Sequence, residues 1–156
     1  MTIPSGTGLY GIDNRVFQGR NNLQQVIIPS GVEWFGEEVF DGCAVLHEGD
    51  PEDELNVIRL PIGLKRIGNL AFKGLGEAYV SQRFFLLLPA SLEEFDLNIF
   101  TDCNAVLIAP QGSYVAGMLE AGWYYYYYTL ADAMAQTNCR YKVDPDQPTH
   151  VHYGRR

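Results

Sequence analysis

Cysteine is scarce: the chain of 156 residues has three, Cys43, Cys103 and Cys139. The number is odd, and the spacings fit neither a zinc site nor a redox pair. A disulfide-stapled scaffold and a structural metal centre are therefore not expected. Long apolar runs are missing as well. No stretch approaches 18 consecutive apolar residues, so no membrane-spanning helix and no membrane insertion are expected. Positive charge is in short supply, with 11 basic residues against 19 acidic ones and a net charge of -8. Such a chain repels phosphate backbones, which argues against nucleic acid as a partner. A glycine-rich phosphate loop, a nucleophile elbow and a metalloprotease helix are absent too. The expectation is a protein that is not an enzyme and holds no cofactor and no metal. The opening MTIPSGTGLYG has no basic region followed by an apolar core, so it does not read as a secretory signal. It suits a chain kept in the cytoplasm, or a mature or excised piece. What the chain does have is 47% hydrophobic and 19% charged residues, with 16 glycines. That composition is globular, and the length allows one ordinary domain or a short run of repeats.

The repeat is the main signal. Prolines at 29, 61 and 89 are each followed, 11 residues later, by a phenylalanine: Phe40, Phe72 and Phe100. The apolar positions between them also agree. Three residues after the proline stand Val32, Leu64 and Leu92; six after it, Phe35, Ile67 and Phe95; ten after it, Val39, Ala71 and Ile99. A partial copy precedes these, with Ile12, Val16 and Phe17 at the same offsets, and Thr2 to Gly6 echoes Ile27 to Gly31. Gly19, Gly42 and Gly74 follow their phenylalanines by two, and Asp102 takes that place in the last copy. The other half of each copy is elastic: 12, 21, 17 and 10 residues separate Phe17, Phe40, Phe72 and Phe100 from Pro29, Pro61, Pro89 and Pro110. A held half and an elastic half suit a solenoid. Stacked inward residues need fixed spacing, while solvent loops lengthen at small cost.

Before each proline lies a run of strand formers: Val26 to Ile28, Val57 to Leu60, Phe84 to Leu88, and Val106 to Ile108. Strands joined by crossovers imply a parallel sheet, and alternation gives each strand two faces. One face carries Val26, Ile28, Ile58, Leu60, Leu86, Leu88, Leu107 and Ala109, and is assigned to the core. The phenylalanines are expected to stack on the opposite wall. The segment Ile67 to Gly74, with Leu86 to Pro89 and Leu92 to Phe95, resembles the BspA-like (treponemal-type) leucine-rich repeat. Phe35 to Cys43 and Phe95 to Cys103 resemble it too, and the likeness covers roughly residues 2 to 122. The resemblance implies an α/β fold: a right-handed leucine-rich repeat solenoid with short parallel strands, about four coils, and a small C-terminal helical cap. It also implies a protein-recognition or adhesion module, bacterial or protist, at the cell surface or secreted. The expected organisation is a solenoid with a closing helix over 1–122, a cap over 123–143 and a disordered tail over 144–156.

Ser113 before Tyr114 to Ala121 and then Gly122 reads as a capped helix with a glycine stop. Thr129 opens a second helix to about Thr137, with Asp132 in the acidic place of a capping box. Cys139 to Val143 suits a last strand. Between the two helices, Trp123 is followed by Tyr124 to Tyr128. As a strand, one row of this run would pack as a cap. The other row would offer a binding surface, and stacking on sugars makes a carbohydrate-binding module the alternative function. The leading candidate for a partner site is the outer face of the main sheet: Ile27, Val57, Arg59, Phe85, Leu87, Val106 and Ile108. Contiguous exposed apolar area marks partner sites. Either a protein partner docks there, or a second copy self-associates through it, or the C-terminal segment covers it. The acidic loop 48–54 reads as a solvated insertion. Cys43, with His47 four residues on, reads as a packing residue. His150 and His152 supply too few ligands for a metal site.

Overall fold

The computed structural model describes residues 10–20, 27–43, 56–75, 84–103, 105–122 and 124–140. The echo at Thr2 to Gly6, the acidic loop 48–54, His47, Trp123 and the tail with His150 and His152 lie outside them. The fold is α/β, with parallel strands in two sheets, few helices and no closed barrel among the described residues. One sheet has the order β3-β5-β6-β7, from Asn56–Arg59, Phe84–Leu87, Val106–Ile108 and Tyr126–Tyr127. The other has the order β1-β2-β4, from the two-residue strands Gly11–Ile12, Trp34–Phe35 and Arg66–Ile67. Three strands of the first sheet fall on the strand formers read at Val57 to Leu60, Phe84 to Leu88 and Val106 to Ile108; of the run Val26 to Ile28, Val26 lies outside the described residues and Ile27 and Ile28 form no named strand. The second sheet was not anticipated, because a two-residue strand leaves no alternation to detect.

The repeat explains both sheets. β3, β5 and β6 each end two residues before a proline, Pro61, Pro89 and Pro110, which cannot donate to a ladder. The chain then turns, and the N–H three residues on donates to the proline carbonyl: Val32 to Pro29 at 3.2 Å, Leu64 to Pro61 at 3.1 Å, Leu92 to Pro89 at 3.4 Å. Five and six residues after the proline comes the short strand, registered Gly11–Trp34–Arg66 and Ile12–Phe35–Ile67. A third row of hydrogen bonds joins the phenylalanine turns: Phe17 N–H to Val39 O at 3.1 Å, Phe40 to Ala71 at 2.8 Å, Phe72 to Ile99 at 3.1 Å. Each copy thus satisfies its backbone groups on the next, as buried amides require. These turns need left-handed residues. Gly19, Gly42 and Gly74 have φ of 74°, 79° and 72°, and Asp102 reaches 52° at the same place. Aspartate tolerates that region better than most side chains.

The core lies between the two sheets and the phenylalanine turns. Ile58, Leu60, Leu86, Leu88, Leu107 and Ala109 are buried in it, and Ile28 packs against it half-buried. The phenylalanines form a stacked row: Phe17 on Phe40 at 5.4 Å between centroids, Phe40 on Phe72 at 6.1 Å, Phe72 on Phe100 at 6.4 Å. Val16 departs from its column and is exposed, since it belongs to the first described copy, whose strand β1 is an edge of its sheet. At the other end, α1 (Tyr114–Ala121) buries Val115, Ala116 and Leu119. Ser113 Oγ accepts from Ala116 N–H at 3.1 Å, and Gly122 is the C-cap. Beyond it, β7 adds to the main sheet, and Tyr126 exchanges two 2.7 Å backbone hydrogen bonds with Arg140 in an antiparallel bridge. The helix α2 (Leu130–Ala135) is capped by Thr129 Oγ1, which accepts from Asp132 N–H at 3.1 Å. It stops short of Thr137, because Gln136 turns left-handed at φ 55°.

All three cysteines are free thiols. Cys43 and Cys103 are buried at matching repeat positions, and Cys43 donates to Phe17 O at 3.2 Å. Burial pushes their thiols up from the ordinary 9.0, to about 11 for Cys43 and about 12 for Cys103. A thiol whose pKa is raised by folding stabilises the fold fully below its unfolded pKa and loses that contribution as pH rises through the folded value. The denaturation midpoint should therefore fall from about pH 9 upward, and Cys103→Ala should flatten that fall. Thiol titration at pH 8 should find Cys139, which is partly exposed, reacting first, and the other two only on unfolding. Equal rates at all three positions would contradict the packing.

Candidate functional site

The outer face of the main sheet is not an open surface. Phe85 is 1% exposed, and Val57, Val106 and Ile108 are buried with it. They form a second apolar cluster with Tyr127 and Ala133, against which Leu87, Leu130 and Cys139 pack half-buried. The reason is α2, which folds back over β6 and β7. The expectation of an exposed patch at Val57, Phe85, Leu87, Val106 and Ile108 is corrected accordingly. The motive for self-association through it goes too. Of that set, Arg59 and Ile27 remain exposed, Ile27 to 43%. The tyrosine run is packed on both sides. Tyr126 is in the main core, flanked by half-buried Tyr124 and Tyr128, while Tyr127 faces the second cluster. Arg140 lies over the Tyr128 ring at 4.7 Å, and Tyr126 OH donates to Glu120 at 3.3 Å. Burial raises the phenol pKa of both Tyr124 and Tyr126. Tyr126 and Tyr127 are thus buried, and Tyr124, Tyr125 and Tyr128 are half-buried.

An open concave feature among the described residues lies elsewhere, on the outer face of the short sheet. It is a groove of about 480 Å³ lined by Trp34, Arg66, Glu94, Phe95, Asn69 and Asp96, and by Gly36 and Gly68. Its central row is a register row. Gly11 pairs with Trp34, Trp34 with Arg66, and Arg66 with Glu94. Neighbouring strands are about 4.8 Å apart, so three successive copies root a tryptophan, an arginine and a glutamate side by side. The glycines are what allow it. The fused-ring carbons of Trp34 occupy the space that a side chain at Gly11 would need, so the indole leans across β1. A side chain at Gly68 would meet the Gly36 carbonyl at 2.5–2.6 Å, and one at Gly36 would collide with Asn14. At these two positions successive copies therefore approach one another with no room for a side chain.

The polar lining is only partly engaged. Asp96 Oδ1 accepts from Asn98 N–H at 2.9 Å, capping the 3-10 turn Leu97–Phe100. Asn98 Nδ2 reaches Asn69 Oδ1 at 3.5 Å. Arg66 and Glu94 sit on adjacent strands, yet the ion pair formed among the described residues is Arg15 with Glu38 at 3.2 Å, on another side of the molecule. Sequence reasoning passed over Trp34, Arg66 and Glu94. The signal was there in the repeat, as the column five residues after each proline. It was overlooked because it is neither apolar nor constant, and those were the properties used to align the copies. Among the described residues, no group of three or more histidines, cysteines and acids could hold a metal ion. No helix among them is long and apolar enough to cross a membrane. No family model, curated protein or solved structure matches the chain.

Proposed function

We propose that this chain is a non-catalytic recognition module. It is built as a right-handed leucine-rich repeat solenoid of about four coils, of the BspA-like kind, and serves protein recognition or adhesion at a cell surface. The observation that carries this reading is the groove. One register row draws Trp34, Arg66 and Glu94 from successive copies of a repeat into one groove. Repeat proteins bind on surfaces of this kind, where each copy supplies one position and the row supplies the area. Aromatic and arginine side chains are also those enriched at interface centres.

The test uses the full chain, labelled and presented to an array of extracellular proteins and to intact cells. Saturable binding is expected. It should weaken roughly tenfold or more, about 1.4 kcal/mol or more, when Arg66→Ala and Glu94→Ala are combined, with the circular dichroism spectrum unchanged. Binding that ignores both changes, or no binding at all, would overturn the reading.

A further inference from the structure

We propose that the groove over the short sheet binds a neutral oligosaccharide, seated on the indole of Trp34 and hydrogen-bonded by Arg66, Glu94, Asn69 and Asp96. This rests on reading the groove as the recognition surface. It places the sugar site on a different part of the molecule from the tyrosine run, whose Tyr126 and Tyr127 are buried. The first support is the indole. Trp34 is half-buried and leans over Gly11, where its ring carbons take the place of a side chain. A ring laid on backbone is a rigid platform, and an electron-rich π face attracts the weakly positive C–H face of a pyranose. Little conformational entropy is lost when such a platform is used.

The second support is the kind of polar group present. A sugar hydroxyl both donates and accepts. Arg66 offers a fork of donors, Glu94 and the second oxygen of Asp96 offer acceptors, and the Asn69 amide offers both. Arg66 and Glu94 are bridge partners at the strand spacing of about 4.8 Å, close to the length of one sugar ring, and Asn69 and Asp96 line the same groove. An extended peptide would look for an unpaired sheet edge and its main-chain groups. The groove instead presents side chains over a sheet face.

The third support is charge. The groove combines one cation with two acids, in a chain of net charge -8. That balance repels a polyanionic glycan and gives a cationic peptide an opposing guanidinium. A neutral ligand meets neither penalty.

The experiment has two stages. An array of neutral oligosaccharides, built from glucose, mannose, galactose and N-acetylglucosamine, identifies a binder for the full chain. Calorimetry and tryptophan fluorescence then compare variants with that oligosaccharide. Trp34→Ala should weaken binding roughly tenfold or more, and Trp34→Phe should retain binding but lose the emission change. Arg66→Ala and Glu94→Gln alter exposed positions, and each should weaken binding several-fold. These two carry the test if Trp34→Ala does not fold. Absence of neutral-sugar binding, or binding unchanged in Arg66→Ala and Glu94→Gln, overturns the assignment. A protein or peptide ligand that depends on the groove, with no sugar bound, overturns the sugar class and leaves the recognition reading standing. No groove-dependent ligand of any class overturns both.

Discussion

Truncating Phe72 to alanine should lower the unfolding free energy by about 3–5 kcal/mol, as deletions of large buried side chains do. The position is more demanding than an ordinary core site. The ring is 1% exposed and stacks between Phe40 and Phe100, with Phe35 edge-on at 6.3 Å. Its removal loses the transfer term, leaves a cavity and breaks two stacked contacts at once. Collapse into the cavity is hindered, because the backbone on either side is held by hydrogen bonds to neighbouring copies at 2.8–3.1 Å. Phe17, stacked on Phe40, should cost less when truncated. Urea denaturation checks both, with the midpoint falling at an unchanged slope. A midpoint for Phe72→Ala that stayed in place would mean the phenylalanine row does not hold the copies together.

Phe85→Ser should be at least as damaging, and it decides what the outer face of the main sheet is for. If that face were a docking surface, serine would weaken partner binding and leave the fold intact. Phe85 instead lies in the closed cluster with Val57, Val106, Ile108, Tyr127 and Ala133. The change therefore removes a large apolar side chain, at about 3–5 kcal/mol. It also introduces a buried hydroxyl in an apolar cluster, which adds about 1–3 kcal/mol when left unpartnered. The expected result is a large loss of stability by denaturation, with no specific effect on binding by the molecules that remain folded. Leu130→Ala, on the helix that covers the cluster, should destabilise in the same direction but by less, because Leu130 is only half-buried. A stable, monomeric Phe85→Ser protein would mean that α2 does not close this face.

The repeat, its inward residues and its helix ends were legible in the linear chain, because each depends on local physics. Pro61, Pro89 and Pro110 follow strand ends through a missing donor. The columns ending at Phe40, Phe72 and Phe100 hold their spacing because stacked copies must match. Ser113, Gly122 and Thr129 mark helix ends through single hydrogen bonds and backbone preferences that act within a turn. What faces solvent was a different matter. Strand alternation correctly separated Phe85, Val106 and Ile108 from the core-facing Leu86 and Leu107. It could not say what lay on their far side. That is set by α2, a short helix more than twenty residues along the chain from Ile108, and covering by a distant segment leaves no mark on local periodicity. The groove was hidden for the complementary reason. Trp34, Arg66 and Glu94 are about thirty residues apart in sequence, and only the parallel register of β2 and β4, continued by the bridge to Glu94, makes them neighbours. Periodicity reports which way a side chain points. Tertiary pairing alone decides what it meets there.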